Sequence, residues 1–108
     1  MLTSPLEPEH VERIASAYPD RLDVIFRPDL MPAPRYVADH GDPAWRRNAE
    51  QEREWRRLLA QAEILLDFPQ HESRPLLELT PRLRWVQTTS AGVGPLVQRL
   101  GLQDSHLI

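Results

Sequence analysis

Ala62–Gly101 reads AEILLDFPQHESRPLLELTPRLRWVQTTSAGVGPLVQRLG, and the fold turns on how this stretch is parsed. Glu63–Phe68 (EILLDF) is a short, nearly continuous apolar run, the pattern of a strand buried in a parallel sheet. Pro69 ends it. Arg74–Leu79 predicts a short helix closed by Thr80-Pro81, and Leu83–Thr88 (LRWVQT) a second strand. Thr89–Pro95 is then a strand-to-helix turn, Leu96–Leu100 a helix, and Gly101 its C-cap. Strand, helix, strand, helix is the order of a βαβ unit, with parallel strands and a right-handed crossover.

Upstream, Ala44–Ala62 predicts a helix with an apolar stripe of Trp55, Leu58, Leu59 and Ala62, supported by the i, i+4 pair Glu52 and Arg56. Arg27–Pro43 carries Pro28, Pro32, Pro34 and Pro43 and a Gly41-Asp42 turn signal, so it reads as a long loop. Such a length without regular structure is often functional or mobile. Arg21–Phe26 reads as a strand with apolar residues on both sides. Pro8–Tyr18 is a helix with Val11, Ile14, Ala15 and Tyr18 on one face, opened by Pro8 and stopped by Pro19. His106–Ile108 looks like the opening of a further strand. The whole is an α/β parallel sheet with helices on both faces, a single domain over residues 1–108, and it is expected to be incomplete at the C-terminus because the chain stops inside an element.

Composition narrows the chemistry. The 108 residues include no cysteine, which removes thiolate nucleophiles, thiolate metal sites and redox motifs. All 13 basic residues are arginine, so Schiff-base lysines and a P-loop lysine are excluded. The formal charge of −3 offers no global field for nucleic acid. No apolar run approaches the length of a membrane span, and Met1–His10 is not a signal peptide. A cytoplasmic location, with no nucleic-acid or membrane partner, is the expectation. The arginines Arg46, Arg47, Arg53, Arg56 and Arg57 are interleaved with Glu50, Glu52 and Glu54, a pattern that reads as a solvated helix face.

Candidate binding residues cluster in the turn. Ligands of open α/β sheets bind beyond the carboxyl ends of the strands. Gly92 allows close backbone approach, and Pro95 near the start of the helix leaves the amides of Ala91, Gly92 and Val93 facing outward, where the helix dipole favours an anion. A carboxylate held by these amides is one reading; the other is that the turn uses glycine for its geometry alone. Gly92-Val93-Gly94 opens like a dinucleotide fingerprint, but Val97 stands where the third glycine belongs, so a nucleotide is rejected. His10, His40, His71 and His106 lack metal-ligand spacing. His71-Glu72 is a loop pair after a strand and reads as surface, and Asp67 reads as an N-cap-like or solvent-facing carboxylate.

Leu83–Ile108, with its LRWVQ and SAGV segments, resembles the D-isomer-specific 2-hydroxyacid dehydrogenases, and AEILLDFP at Ala62–Pro69 resembles the preceding strand of that family. The resemblance implies a flavodoxin-like substrate-binding domain, with a nucleotide-binding Rossmann domain absent from this chain. It implies an NAD(P)-dependent oxidoreductase interconverting a D-2-hydroxy acid and its 2-keto acid. Ser90, Ala91, Gly92 and Val93 would meet the substrate carboxylate, and Phe68, with its neighbours Asp67 and Pro69, would line the substrate side of the cleft. Gly94 departs from the family, which frequently has aspartate or asparagine at that position. The family's catalytic arginine, glutamate and histidine have no counterpart here, so no catalytic residue is assigned. NAD or NADP is expected in the complete enzyme and none on this chain alone. A homodimer is expected for the complete enzyme, and self-association for the fragment. The alternative is a stand-alone flavodoxin-like binding or interaction module without catalysis.

Overall fold

A computed structural model of the chain describes residues 1–72 and 74–102. The strand expected at His106–Ile108 lies outside them. The described residues form a small α/β domain. Helix α1 spans Pro8–Ala17, α2 Ala49–Gln61, strand β1 Ile64–Leu66, α3 Leu76–Leu79, strand β2 Trp85–Gln87 and α4 Gly94–Arg99. The two strands pair in parallel, with Ile64 opposite Trp85, Leu65 opposite Val86 and Leu66 opposite Gln87.

The chain's first residues belong to this sheet, which the sequence pattern did not signal. The Thr3 amide donates to the Leu66 carbonyl at 3.1 Å, the Leu66 amide to the Met1 carbonyl at 3.0 Å, and the Met1 ammonium to the Ile64 carbonyl at 2.8 Å. On its other side, the Leu2 amide donates to Ile25 at 3.0 Å. Met1–Thr3 therefore lies between β1 and the segment around Ile25. Three residues are too few to show a period, which is why the pattern misses them. Arg21–Phe26 is not a regular strand as expected. It touches the sheet through Ile25, Val24–Phe26 are only half-buried, and Leu22 is 37% exposed.

Alternation along the strands sorts their side chains. Leu65 and Val86 are buried, with Trp55, Leu58 and Leu59 of α2, Leu76 and Leu79 of α3, and Leu30, Leu100 and Leu102 in the same core. Full burial of each such side chain contributes about 1.5–3 kcal/mol. Ile64, Leu66, Trp85 and Gln87 line an open hollow of about 590 Å³ with Ile14 of α1 on its wall. Helices α2 and α3 thus cover one side of the strands, and on the other side α1 borders the open hollow.

Helix α2 begins at Ala49, five residues later than the expected start at Ala44. Asn48 caps it: its side chain accepts the Gln51 amide at 2.8 Å, while the Gln51 side chain accepts the Asn48 amide at 2.8 Å. Ala44 and Trp45 are held instead in a turn on Asp42, whose carboxylate takes the Ala44 amide and whose carbonyl takes the Trp45 amide. The Arg27–Pro43 loop is also more ordered than its prolines imply. Leu30 and Met31 are buried after a 3₁₀ turn at Pro28–Leu30. Asp39 is buried and receives the Arg35 amide and guanidinium, with the Nε contact at 2.8 Å. Gly41 sits at φ +86 with an added Cβ only 2.5 Å from Pro32, so only glycine fits.

Arg47 departs from the solvated face read from its charge pattern. Its side chain is 5% exposed. The guanidinium lies 4.4 Å over the Trp55 ring, pairs with Glu52 at 2.8 Å, and donates to the carbonyls of Leu30 and Gln70. One arginine thus ties the proline-rich loop and the segment after β1 to α2.

Candidate functional site at the strand ends

Both strands run toward one rim, where β1 continues into Asp67–Glu72 and β2 into Thr88–Val93. Asp67 is buried and adopts φ +65, a left-handed conformation that aspartate tolerates better than most residues. Its carboxylate accepts the Thr89 amide at 2.7 Å and the Thr89 hydroxyl at 2.6 Å. Its own amide donates to Gln87 at 2.7 Å, and its carbonyl accepts the Thr3 hydroxyl at 2.7 Å. Asp67 is therefore a structural clasp, not the solvent-facing carboxylate expected from its place at a strand end.

The clasp fixes the start of the predicted carboxylate turn. Ser90, Ala91 and Gly92 are exposed, and Val93 is half-buried against the core. Gly92 has φ +74, while a Cβ placed on it would meet nothing within 4 Å. Glycine is needed there for backbone conformation and leaves open space in front of the turn. Among the described residues, the amides of Ala91, Gly92 and Val93 donate no hydrogen bond within the chain. Ala91 and Gly92 are exposed three and two residues before α4 begins at Gly94. Val93 itself is the helix N-cap, without a side-chain cap.

Phe68 is buried and lines a separate cleft of about 310 Å³ on the same rim. The other walls are the Pro69–Glu72 segment and, from α4, Leu96 and Arg99. His71, at φ +63, is exposed at this cleft, with Nε2 3.5 Å from Arg46 Nη1. Partial burial, then the positive charges of Arg46, Arg47 and Arg99, pushes its pKa below the ordinary histidine value.

Glu72 is the residue whose surroundings the sequence pattern least suggested. Its side chain is fully buried, with oxygens 3.7 Å from the guanidinium groups of Arg47 and Arg56. Neither carboxylate oxygen, nor the Trp55 indole N–H, makes a hydrogen bond among the described residues. Burial raises its pKa, Glu52 reinforces the shift, and Arg56 and Arg47 oppose it. Histidine followed by glutamate after a strand was the only local sign. Arg46 and Arg99, far apart in sequence, gave none.

No family model, curated protein or solved structure matches this chain. Among the described residues no three His, Asp or Glu side chains gather to hold a metal ion, and no helix is long and apolar enough to cross a membrane. The rim thus carries a glycine turn whose amides at Ala91–Val93 donate no hydrogen bond among the described residues, and a cleft with Arg99 and His71 on its wall.

Proposed function

We propose that this chain is the substrate-binding portion of an NAD(P)-dependent 2-hydroxyacid dehydrogenase, and that its Ser90–Val93 turn cradles the carboxylate of a 2-keto or 2-hydroxy acid. The observation that carries the reading is the turn itself. Its unengaged amides lie at the carboxyl ends of parallel strands, the position where open α/β sheets bind ligands, and Asp67 anchors it through Thr89.

The backbone pairing supports the flavodoxin-like part of the reading. From one side to the other, the segments run Ile25, Met1–Thr3, β1, β2. Numbered along the chain, that is the order 2-1-3-4, which begins as the flavodoxin-like order 2-1-3-4-5 does. The carboxylate cradle then falls after the fourth segment and Phe68 after the third, neighbours on one rim.

The part these residues play is recognition. Backbone donors hold a carboxylate without a lysine, and the rigid turn orients the adjoining carbonyl. Val97 in place of the third fingerprint glycine leaves no dinucleotide-phosphate turn, so the nucleotide would be held by residues outside 1–108. The test is the reading frame beyond Ile108. It is expected to continue into a strand-turn-helix with G-x-G-x-x-G. A stop codon directly after Ile108 would overturn the reading.

A further inference from the structure

Arg99 and His71 line the Phe68 cleft, and Arg46 stands beside the His71 ring, in a chain whose net charge is −3. His71 comes from the segment after β1, Arg46 from the turn before α2, and Arg99 from α4. Arg46 also donates to the carbonyls of Pro43 and Trp45, which hold its guanidinium against that turn. Among the described residues neither Arg46 nor Arg99 forms an ion pair. The acidic residue on the cleft wall, Glu72, is directed at Arg47 and Arg56, so its charge is answered on the α2 side. The volume of about 310 Å³ accommodates a small oxyanion.

We propose that this cleft is an oxyanion site formed by His71 and Arg99 on its wall and by Arg46 beside the His71 ring, and that it takes a second acidic group, carboxylate or phosphate, at the far end of the substrate. The second clause rests on the reading of the Ser90–Val93 turn as the cradle for the first carboxylate. Phe68 connects the two places: it lines the cleft and directly follows Asp67, which clasps Thr89 at the start of the turn. The substrate is then a 2-keto or 2-hydroxy acid with two acidic ends.

His71 makes such a site responsive to pH. Partial burial, then Arg46, Arg47 and Arg99, favours its neutral form, and the fully buried Glu72 is the acid beside it in sequence. An oxyanion arriving among these groups favours the imidazolium, so binding takes up a proton and strengthens as pH falls from 7.5 to 6.

The experiment titrates the 108-residue chain, followed by amide and imidazole NMR signals, with pyruvate, 2-oxoglutarate and inorganic phosphate. Pyruvate should move only the amides of residues 91–93. Phosphate should move the His71 ring and the Arg99 amide, and 2-oxoglutarate both sets, with affinity about tenfold above pyruvate. Arg46→Gln and Arg99→Gln, both at exposed positions, should each weaken phosphate and 2-oxoglutarate about tenfold and leave pyruvate within about twofold, as expected for one charge-assisted hydrogen bond. Equal binding of pyruvate and 2-oxoglutarate, with neither variant changing anything, overturns the cleft and leaves the turn standing. Phosphate binding that R46Q and R99Q weaken, with no ligand moving residues 91–93, supports the oxyanion site and removes the turn.

Discussion

Asp67 and Thr89 hold the two parallel strands together where they end. One carboxylate takes both the amide and the hydroxyl of Thr89, at 2.7 and 2.6 Å. Two neutral donors thus meet one buried acceptor, and the loop after β1 is locked to the loop after β2. Replacing Asp67 with alanine should cost about 2–3 kcal/mol, because the Thr89 donors lose a charged acceptor and alanine is strained at φ +65. Thr89→Val keeps the amide arm and should cost about 1 kcal/mol. Urea unfolding of the two variants checks the ranking, and equal losses would argue against the clasp.

Gly41 is a stricter position than either. A methyl group there meets Pro32 at 2.5 Å and is held at φ +86. Gly41→Ala is expected to lower stability by about 2 kcal/mol or more, measured by the unfolding midpoint. Gly92→Ala, at φ +74 but facing open space, should cost about 1 kcal/mol.

Acid should unfold the protein through its arginine-paired carboxylates. Hydrogen bonds from Arg57 and Arg27 lower the Glu54 pKa from 4.5 to about 2, and Arg35 lowers that of Asp39 further still. A lowered folded pKa means that the unfolded chain binds protons more readily. The stability these groups contribute is present above about pH 4.5 and is lost as pH falls toward 2. Glu72 has the opposite sign. Its raised pKa makes the protonated form the better fit, so its ionisation costs stability as pH rises through that value. Glu72→Gln should therefore gain stability relative to the parent between pH 4.5 and neutrality, and unfolding measured across that range checks it. A difference independent of pH would contradict the assignment.

The hollow beside the strands should make the chain associate with itself. Trp85 is 49% exposed there and Ile64 39%, with Leu22 on the same wall. Apolar surface left open in this way drives association. Sedimentation should show mass rising with concentration, and Trp85→Glu should move the chain toward monomer. A monodisperse parent at high concentration would contradict this.

How much of this was legible follows from distance along the chain. Ile64–Leu66, Trp85–Gln87 and the stripe of Trp55, Leu58 and Leu59 come from local periodicity, which a sequence displays directly. The Asn48 cap overrides the stripe at the start of α2, because a capping box and an Asp42 turn compete there with helix propensity. Met1–Thr3 becomes a sheet member through β1, more than sixty residues away, and through Ile25 on its other side. Arg47 looked solvated because its neighbours are charged, yet the Trp55 face and the carbonyls of Leu30 and Gln70 draw it inward. The glycine turn at Ser90–Val93 was visible from residue types alone. The cationic cleft was not, since Arg46, His71 and Arg99 meet only in three dimensions.

The carboxylate cradle is tested most directly by following the backbone amides of Ala91, Gly92 and Val93 in nitrogen-15 labelled protein while pyruvate is added. Saturable downfield shifts of these three signals, absent when the corresponding amide, pyruvamide, replaces the acid, are the predicted result. Signals that stay in place while pyruvate reaches tens of millimolar would contradict the account.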